Sequence, residues 1–399
     1  MDETRSYKAE EWNNIFTLKA CCTEMKVEFF RHNIGGEEKQ SIISVLDSIF
    51  LTTGKVVNDF EEKLSSYLGL QHCVGLSSCT AALHLGLVAL GIGPGDEVIT
   101  TPMTFVATSL AIVHAGAKPI WVDVEKQTGN INAELIEGAI TERTKAIVPV
   151  HLYGNMCDMI KIKNIADKYG LYVIEDAAHA LEAERDGVRV GELADGACFS
   201  FYCTKSITCG EGGAFATNRM DLAEKVRLLS LHGMTKGAAE RYQRLYEHWD
   251  MVELGWKYNM NNIQAALLIP QLKKIECYWS KRKRIYEYYV DSLKDSPEID
   301  FPKIPPNSRS AYHLFTIWVS PERRDILLKG LQEENIGVAV NYRAIHLLSK
   351  FRETFGNRRG DYPVAEKIGA STISLPLYPK LKIQEANYVI EKLKRIIDV

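Results

Sequence analysis

The chain has 399 residues, of which 46% are hydrophobic and 25% are charged, a balance that is ordinary for a globular protein with a large buried core. The net charge of −3 argues against nucleic acid or an anionic membrane surface as the main partner. The nine cysteines include no CxxC pair and no ligand spacing with histidine, so neither a disulfide framework nor a metal site is indicated.

The chain begins with a charged, aperiodic stretch that we interpret as an N-terminal arm, residues 1–40. Its first residues lack the apolar core of a signal peptide. No apolar run in the sequence approaches the roughly 20 residues that a membrane-spanning helix requires. We therefore expect a cytoplasmic protein without a membrane partner.

Residues 41–285 form a predicted large domain, in which short apolar runs alternate with stretches of helical period. The apolar runs predict strands at 73–77, 96–101, 118–124, 144–150, 171–175, 196–202 and 213–217. The helical period predicts helices at 80–90, 104–115, 133–140 and 158–169. This alternation predicts an α/β fold with a mostly parallel seven-stranded sheet that is covered on both faces.

Residues 286–399 form a predicted smaller C-terminal α/β domain. The sequence that leads into it is compatible with a helix from 261 to about 293, except at Pro270, where we expect a kink or break. Within the small domain the pattern predicts strands at 312–319, 337–342 and 372–375, and helices near 322–333 and 384–397.

Polar residues follow several predicted strands, at the edge where ligands bind in open parallel sheets. Asp176 and His179 follow the strand at 171–175. The carboxylate could pair with a protonated pyridine nitrogen and keep the ring an electron sink, and the histidine could pack on the ring. A helix-capping aspartate and a buried core histidine are the alternatives.

Two other strand ends carry candidate cofactor contacts. Cys79 and Thr80 open a predicted helix after the strand at 73–77, and a helix N-terminus with hydroxyl groups can bind phosphate; a plain helix cap is the alternative. Phe105 follows the strand at 96–101 and could stack on a planar cofactor, although a core phenylalanine would look the same in sequence.

Lys205 lies between an apolar run at 196–202 and the glycine-rich turn at 210–213. Apolar surroundings lower the pKa of an ammonium group, and a neutral amine can form a Schiff base with an aldehyde cofactor. Ser200, five residues earlier, could help to hold a phosphate. A solvated surface lysine is the alternative. Together with the acid and the helix N-terminus, this lysine predicts pyridoxal phosphate as the cofactor.

The order and spacing of these residues resemble the fold-type I pyridoxal-phosphate enzymes of the DegT/DnrJ/EryC1/StrS sugar aminotransferase family over roughly residues 28–397. The resemblance implies that Lys205 is the Schiff-base lysine and that Asp176 pairs with the pyridine nitrogen. It also implies cofactor contacts from Cys79, Thr80, Phe105, His179 and Ser200. Cys79 stands where the family more usually has glycine or alanine.

Two further segments resemble family motifs. The run at 257–260 is similar to the segment whose asparagine, here Asn259, reaches the cofactor phosphate of the neighbouring subunit, which implies a homodimer with shared active sites. The run at 341–346 resembles a substrate-side motif and implies that Tyr342, Arg343 and His346 contact the substrate. Asparagine stands at its first position, where the family often has histidine.

The resemblance implies an aminotransferase that moves an amino group from glutamate to a nucleotide-linked keto sugar by a ping-pong mechanism, with a UDP-4-keto sugar favoured. Lys205 would anchor the cofactor and serve as general base and acid. A sugar dehydratase of the same family, a non-catalytic sugar-sensing regulator and a non-sugar aminotransferase are the alternatives. The presence of Lys205 argues against the dehydratase and the regulator. The sugar, the position of amination and the pathway stay open.

Overall fold

A seven-stranded sheet forms the centre of the computed structural model, which describes residues 25–236 and 248–398. The strands of this first part of the chain are β1 (His72–Leu76), β2 (Glu97–Thr100), β3 (Lys118–Trp121), β4 (Thr144–Ile147), β5 (Tyr172–Asp176), β6 (Glu184–Arg185), β7 (Val188–Arg189), β8 (Gly196–Ser200) and β9 (Gly213–Thr217). The large sheet has the order β1-β9-β8-β5-β4-β2-β3. Its pairs from β8 to β3 are parallel, whereas β9 runs antiparallel to β8 and to β1. The predicted mostly parallel seven-stranded sheet is confirmed.

Helices cover both faces of this sheet. They are α1 (Gly36–Leu46), α2 (Lys55–Leu68), α3 (Cys79–Ala89), α4 (Val106–His114), α5 (Met159–Tyr169) and α6 (Met220–Ser230). Because successive strand side chains point to opposite faces, Val98 packs with α3, α4 and α6 on one side and Ile99 packs in the core on the other. Burial on both sides explains why these strands read as continuous apolar runs.

The helical stretch after the sheet is divided into α7 (Asn262–Lys273) and α8 (Ile275–Leu293). The predicted break at Pro270 is wrong, because this proline lies inside α7 and the break falls at Lys274. A proline removes one backbone hydrogen bond from the helix. At the next residue, the side chain of Gln271 donates a 2.6 Å hydrogen bond to the carbonyl oxygen of Leu267.

The C-terminal part of the chain has a hydrophobic core of its own. Its elements are β10 (Ser308–Arg309), β11 (Phe315–Trp318), α9 (Pro321–Glu333), α10 (Ser349–Phe355), α11 (Pro363–Ser371), β12 (Thr372–Leu375) and α12 (Ile383–Ile397). Strands β11 and β12 pair antiparallel, and β10 joins β6 and β7 in a small sheet. Tyr289 of α8, Phe315 and Leu393 pack together in this second core.

Two predictions of local structure are wrong. Residues 133–140 form two short 3₁₀ turns instead of an α-helix. The expected strand at 337–342 is reduced to a single bridge between Ala339 and Ser374. The segment pairs with two different neighbours. The Gly337 N–H donates to the carbonyl oxygen of Val27 at 2.7 Å, whereas Ala339 pairs with Ser374.

The described part of the predicted N-terminal arm contacts the C-terminal core and the junction between α7 and α8. Val27 pairs with Ile336 and lies in the C-terminal core, and Glu38 forms a 2.6 Å ion pair with Lys274. The rest of that arm lies outside the described residues, and the domain boundaries at 40 and 285 stay predictions. No helix in the described part of the chain has both the length and the apolar character to cross a membrane.

Candidate active site

A cavity of about 520 Å³ opens at the sheet edge where the parallel strands end. This is the edge at which ligands bind in open α/β sheets. The cavity is lined by side chains from both parts of the chain, among them Ser78, Cys79, Thr80, Thr104, Phe105, Asp176, His179, Ser200, Lys205, His313 and Tyr342. The structure therefore brings most of the candidate cofactor residues together.

Asp176 is the last residue of β5 and its carboxylate is almost completely buried. One oxygen accepts a 2.7 Å hydrogen bond from the Thr108 hydroxyl, and the other accepts a 3.2 Å bond from the N–H of Ala178. Burial raises the pKa of this carboxyl above its usual value, and the two hydrogen bonds and the charge of Lys205 limit that rise. The Asp176 carboxyl lines the cavity, where it can serve as a partner for a cation.

Lys205 lies on the loop between β8 and β9, within the same cavity. Burial lowers its pKa to about 8, although the Asp176 charge acts in the opposite direction. The loop is held at its base, because the N–H of Phe201 donates to the carbonyl oxygen of Gly212 at 2.8 Å and Thr208 donates to that of Phe201 at 3.0 Å. The loop that carries Lys205 is thus anchored, and its amine is partly neutral near pH 8.

The N-terminus of α3 forms the other end of the site. The Ser78 hydroxyl caps the helix by accepting a 3.0 Å bond from the N–H of Ala81, and Thr80 and Ser200 add hydroxyl groups to the lining. Gly213 lies directly against this turn, where a Cβ atom would stand 2.2 Å from the carbonyl carbon of Ser78. Only glycine fits there, and the result is a cradle of helix N–H groups and hydroxyls that suits a phosphate.

Three aromatic side chains form one wall of the cavity. The His179 ring lies 4.3 Å from the His313 ring, centroid to centroid, and its Nε2 is 3.1 Å from the Tyr342 hydroxyl. Burial lowers the pKa of both histidines well below the usual value, so both are neutral. Phe105 is 57% exposed and lies 5.8 Å from the Tyr342 ring, at the mouth of the cavity.

Three candidate residues are absent from the described lining of this cavity. Asn259 bridges to Leu76 in the backbone and donates through its side chain to the Thr53 hydroxyl at 2.6 Å. Arg343 is exposed beside a separate surface cavity of about 150 Å³. His346 is fully buried, with its Nε2 3.1 Å from Glu366 Oε1.

Sequence reasoning missed Thr108 and His313. Thr108 follows Thr104 by four residues, which is one helical turn, and that spacing at a strand end was the available signal. His313 lies in an apolar run of the C-terminal part, far from the sheet in sequence, and nothing local marks it as a cavity residue.

The residues present fit pyridoxal phosphate. A buried carboxylate suits the ring nitrogen, a lysine with a lowered pKa suits the aldehyde, and the cradle beside Gly213 suits the phosphate. The Nδ1 atom of His179 is buried without a partner, which is consistent with a polar group being bound beside it. The fold and the site define a fold-type I pyridoxal-phosphate enzyme.

The chain belongs to the DegT/DnrJ/EryC1/StrS aminotransferase family, whose sequence profile matches residues 32–394. It is 44% identical over 373 residues to MJ1066, an uncharacterized protein of Methanocaldococcus jannaschii, covering 92% of this chain and 97% of the relative. It is 40% identical over 370 residues to SpsC of Bacillus subtilis, a spore coat polysaccharide biosynthesis protein, covering 91% and 95%.

The solved structures agree with this family. Spr1654 of Streptococcus pneumoniae in its pyridoxamine-phosphate form superposes with a TM-score of 0.88 at 31% identity, over 93% of this chain and 99% of that chain. The same protein is also solved in its pyridoxal-phosphate form. The chain is thus a pyridoxal-phosphate-dependent member of an aminotransferase family.

Proposed function

We propose that this enzyme transfers an amino group from glutamate to a nucleotide-linked keto sugar, with a UDP-4-keto sugar as the first candidate, by a ping-pong mechanism. The observation that carries the transfer itself is the placement of Lys205 and Asp176 in one cavity, each with its pKa shifted by burial. The similarity to a polysaccharide biosynthesis protein supports a sugar that is built into a surface polymer.

The roles of the side chains follow from their charge states. Bound pyridoxal phosphate supplies the electron sink for charge that develops on the substrate carbon. With the cofactor bound, the Asp176 carboxylate would pair with its ring nitrogen, and the Lys205 amine would take up the proton removed from the substrate and give it back. A pKa of about 8 suits Lys205 to both steps, because the group can exist as acid and as base near neutral pH.

The substrate is tested with the pyridoxamine-phosphate form of the enzyme and a panel of nucleotide-linked keto sugars. We expect a UDP-4-keto sugar to restore the absorbance of bound pyridoxal phosphate faster than UDP-3-keto or dTDP-linked sugars. A matching panel of amino acids should show that glutamate returns the enzyme to its amino form with release of 2-oxoglutarate. A deoxygenated sugar formed without 2-oxoglutarate would instead identify a dehydratase.

We further propose a homodimer in which Asn259 contacts the cofactor phosphate of the partner subunit. Asn259 lies beside the β1 end but outside the described lining of its own cavity, which supports a role across an interface. Apolar side chains are also exposed a few residues earlier in the chain, with Leu254 81% and Met251 54% accessible, and exposed apolar surface is typical of subunit contacts.

A mixed dimer tests this arrangement. Subunits with Lys205→Ala are combined with subunits carrying Asn259→Ala, each inactive or weak alone. If Asn259 acts across the interface, one of the two sites in the mixed dimer has both native residues, and activity returns to about half that of the native dimer. If Asn259 acts within its own subunit, neither site is complete and no activity returns.

A further inference from the structure

Two buried threonine hydroxyls form a continuous chain to the cofactor acid. The Thr104 and Thr108 hydroxyl oxygens are 2.7 Å apart, and Thr108 donates to Asp176 Oδ2 at 2.7 Å. The two threonines are 2% and 1% exposed. Nothing in the transfer of the amino group described above uses either of them.

We propose that Thr104 and Thr108 are positioning residues whose hydroxyls form a relay that holds the Asp176 carboxylate ionised and directed at the ring nitrogen of the cofactor. The proposal concerns the cofactor site and holds whatever sugar the enzyme uses. A failure to aminate a particular sugar therefore does not bear on it.

The relay has only one direction when Asp176 is ionised. A carboxylate can only accept, so Thr108 must give it the single hydroxyl proton. Thr108 then has its lone pairs free, and Thr104 donates to it. When Asp176 is protonated, the chain can reverse, with the acid donating to Thr108 and Thr108 donating to Thr104. Both contacts then remain, but the bond to the acid loses the added strength that a charged acceptor gives it. The relay therefore favours the ionised state of Asp176.

The backbone adds to the same effect. Thr108 lies in the first turn of α4, which begins at Val106, and a helix N-terminus favours a negative charge beside it. Other charged or titratable groups also act on Asp176, namely Lys205, Cys79, Cys198, His151 and Tyr342. Among them, the Sγ atom of Cys79 lies 4.0 Å from Asp176 Oδ1. Of these groups, the thiols and Tyr342 are neutral near pH 7, because burial raises their pKa values.

The test measures binding of pyridoxal phosphate to the cofactor-free protein by equilibrium dialysis across pH. Thr108→Val keeps the shape of the side chain and removes the donor, whereas Thr108→Ser keeps the donor. We expect Thr108→Val to weaken binding about tenfold, in line with the loss of one hydrogen bond to a charged group. We also expect the acid-side fall in affinity to move to higher pH, because Asp176 then protonates more readily.

The controls separate this role from packing. Thr108→Ser should keep the native pH dependence, and Thr104→Val should shift it in the same direction by a smaller amount, since Thr108 still donates. In the Asp176→Asn background, Thr108→Val should change affinity less than twofold. A Thr108→Val variant that loses affinity equally at every pH, or loses as much without Asp176 as with it, would overturn the relay.

Discussion

The Glu182 carboxylate and the Arg282 guanidinium form a fully buried ion pair, with Oε1 and Nη2 2.6 Å apart, behind the loop that carries Lys205. Glu182 also accepts a 3.2 Å hydrogen bond from Ser206, and Arg282 donates to the carbonyl oxygen of Ala311 at 3.2 Å. Three parts of the molecule meet at this pair, namely helix α8, the Lys205 loop and the segment that places His313.

Removal of one charge from this pair should be strongly destabilising. Glu182→Gln leaves the Arg282 charge buried without a counter-ion, and we expect a loss of about 3–5 kcal/mol in the free energy of unfolding. Chemical denaturation of the holoenzyme measures it. The matched control is Lys283→Met, which breaks an exposed pair with Glu287 at 3.7 Å and should change stability by less than about 1 kcal/mol. Equal effects of the two variants would contradict the prediction.

The reactivity of Lys205 should depend on pH in a predictable direction. Only the neutral amine attacks an aldehyde, and the Lys205 pKa is lowered to about 8. The rate at which the cofactor-free protein forms a borohydride-reducible link to pyridoxal phosphate should therefore rise with pH and level off above about 8. Lys205→Ala should form no such link. A rate that keeps rising until pH 10 would show that the amine has the pKa of an ordinary surface lysine.

Gly213 should be essential for holding the cofactor phosphate. In Gly213→Ala the new Cβ would stand 2.4 Å from the backbone N of Cys79, so the turn that opens α3 must move. We expect at least a tenfold loss of pyridoxal-phosphate affinity, measured by dialysis. Gly138→Ala is the control, because a Cβ there meets nothing within 4 Å, and it should bind the cofactor like the native protein.

His346 should support the fold more than the chemistry. Its ring is fully buried, is bonded to Glu366 and lies 4.7 Å from the Tyr362 ring. We expect His346→Ala to lower the free energy of unfolding by about 2–4 kcal/mol, as for other large-to-small changes in a core, with cofactor affinity unchanged. If this variant is as stable as the native protein but has a raised KM for the sugar, His346 contacts the substrate as the family resemblance implies.

The residues that could be found from sequence are those whose position follows from one strand end. Asp176, Ser200 and Lys205 belong to this group, since an apolar run followed by a polar residue or a glycine-rich turn is a local pattern. The same rule identified the helix N-terminus at Cys79. Parallel strands bring these ends to one edge of the sheet, so residues that are far apart in sequence line the same cavity.

Other features depend on contacts that no local pattern encodes. His313 reaches the cavity only because the C-terminal part packs against the sheet, and Thr108 matters only because α4 carries it to Asp176. Within the run at 341–346 the side chains go to different places, since Tyr342 lines the cavity while His346 is fully buried in the core. Pro270 failed as a helix-end signal, since α7 continues through it to Lys273.

The position of Gly213 in β9 limits where this chain can change length. Gly213 pairs with Leu76 on one side and Ser200 on the other, and strand residues alternate between faces. A deletion that shifts β9 by one residue would bring the methyl group of Ala214 to the place where Gly213 has only a hydrogen atom. Homologues should therefore differ in length outside β9 and keep the register of β9 against β1 and β8.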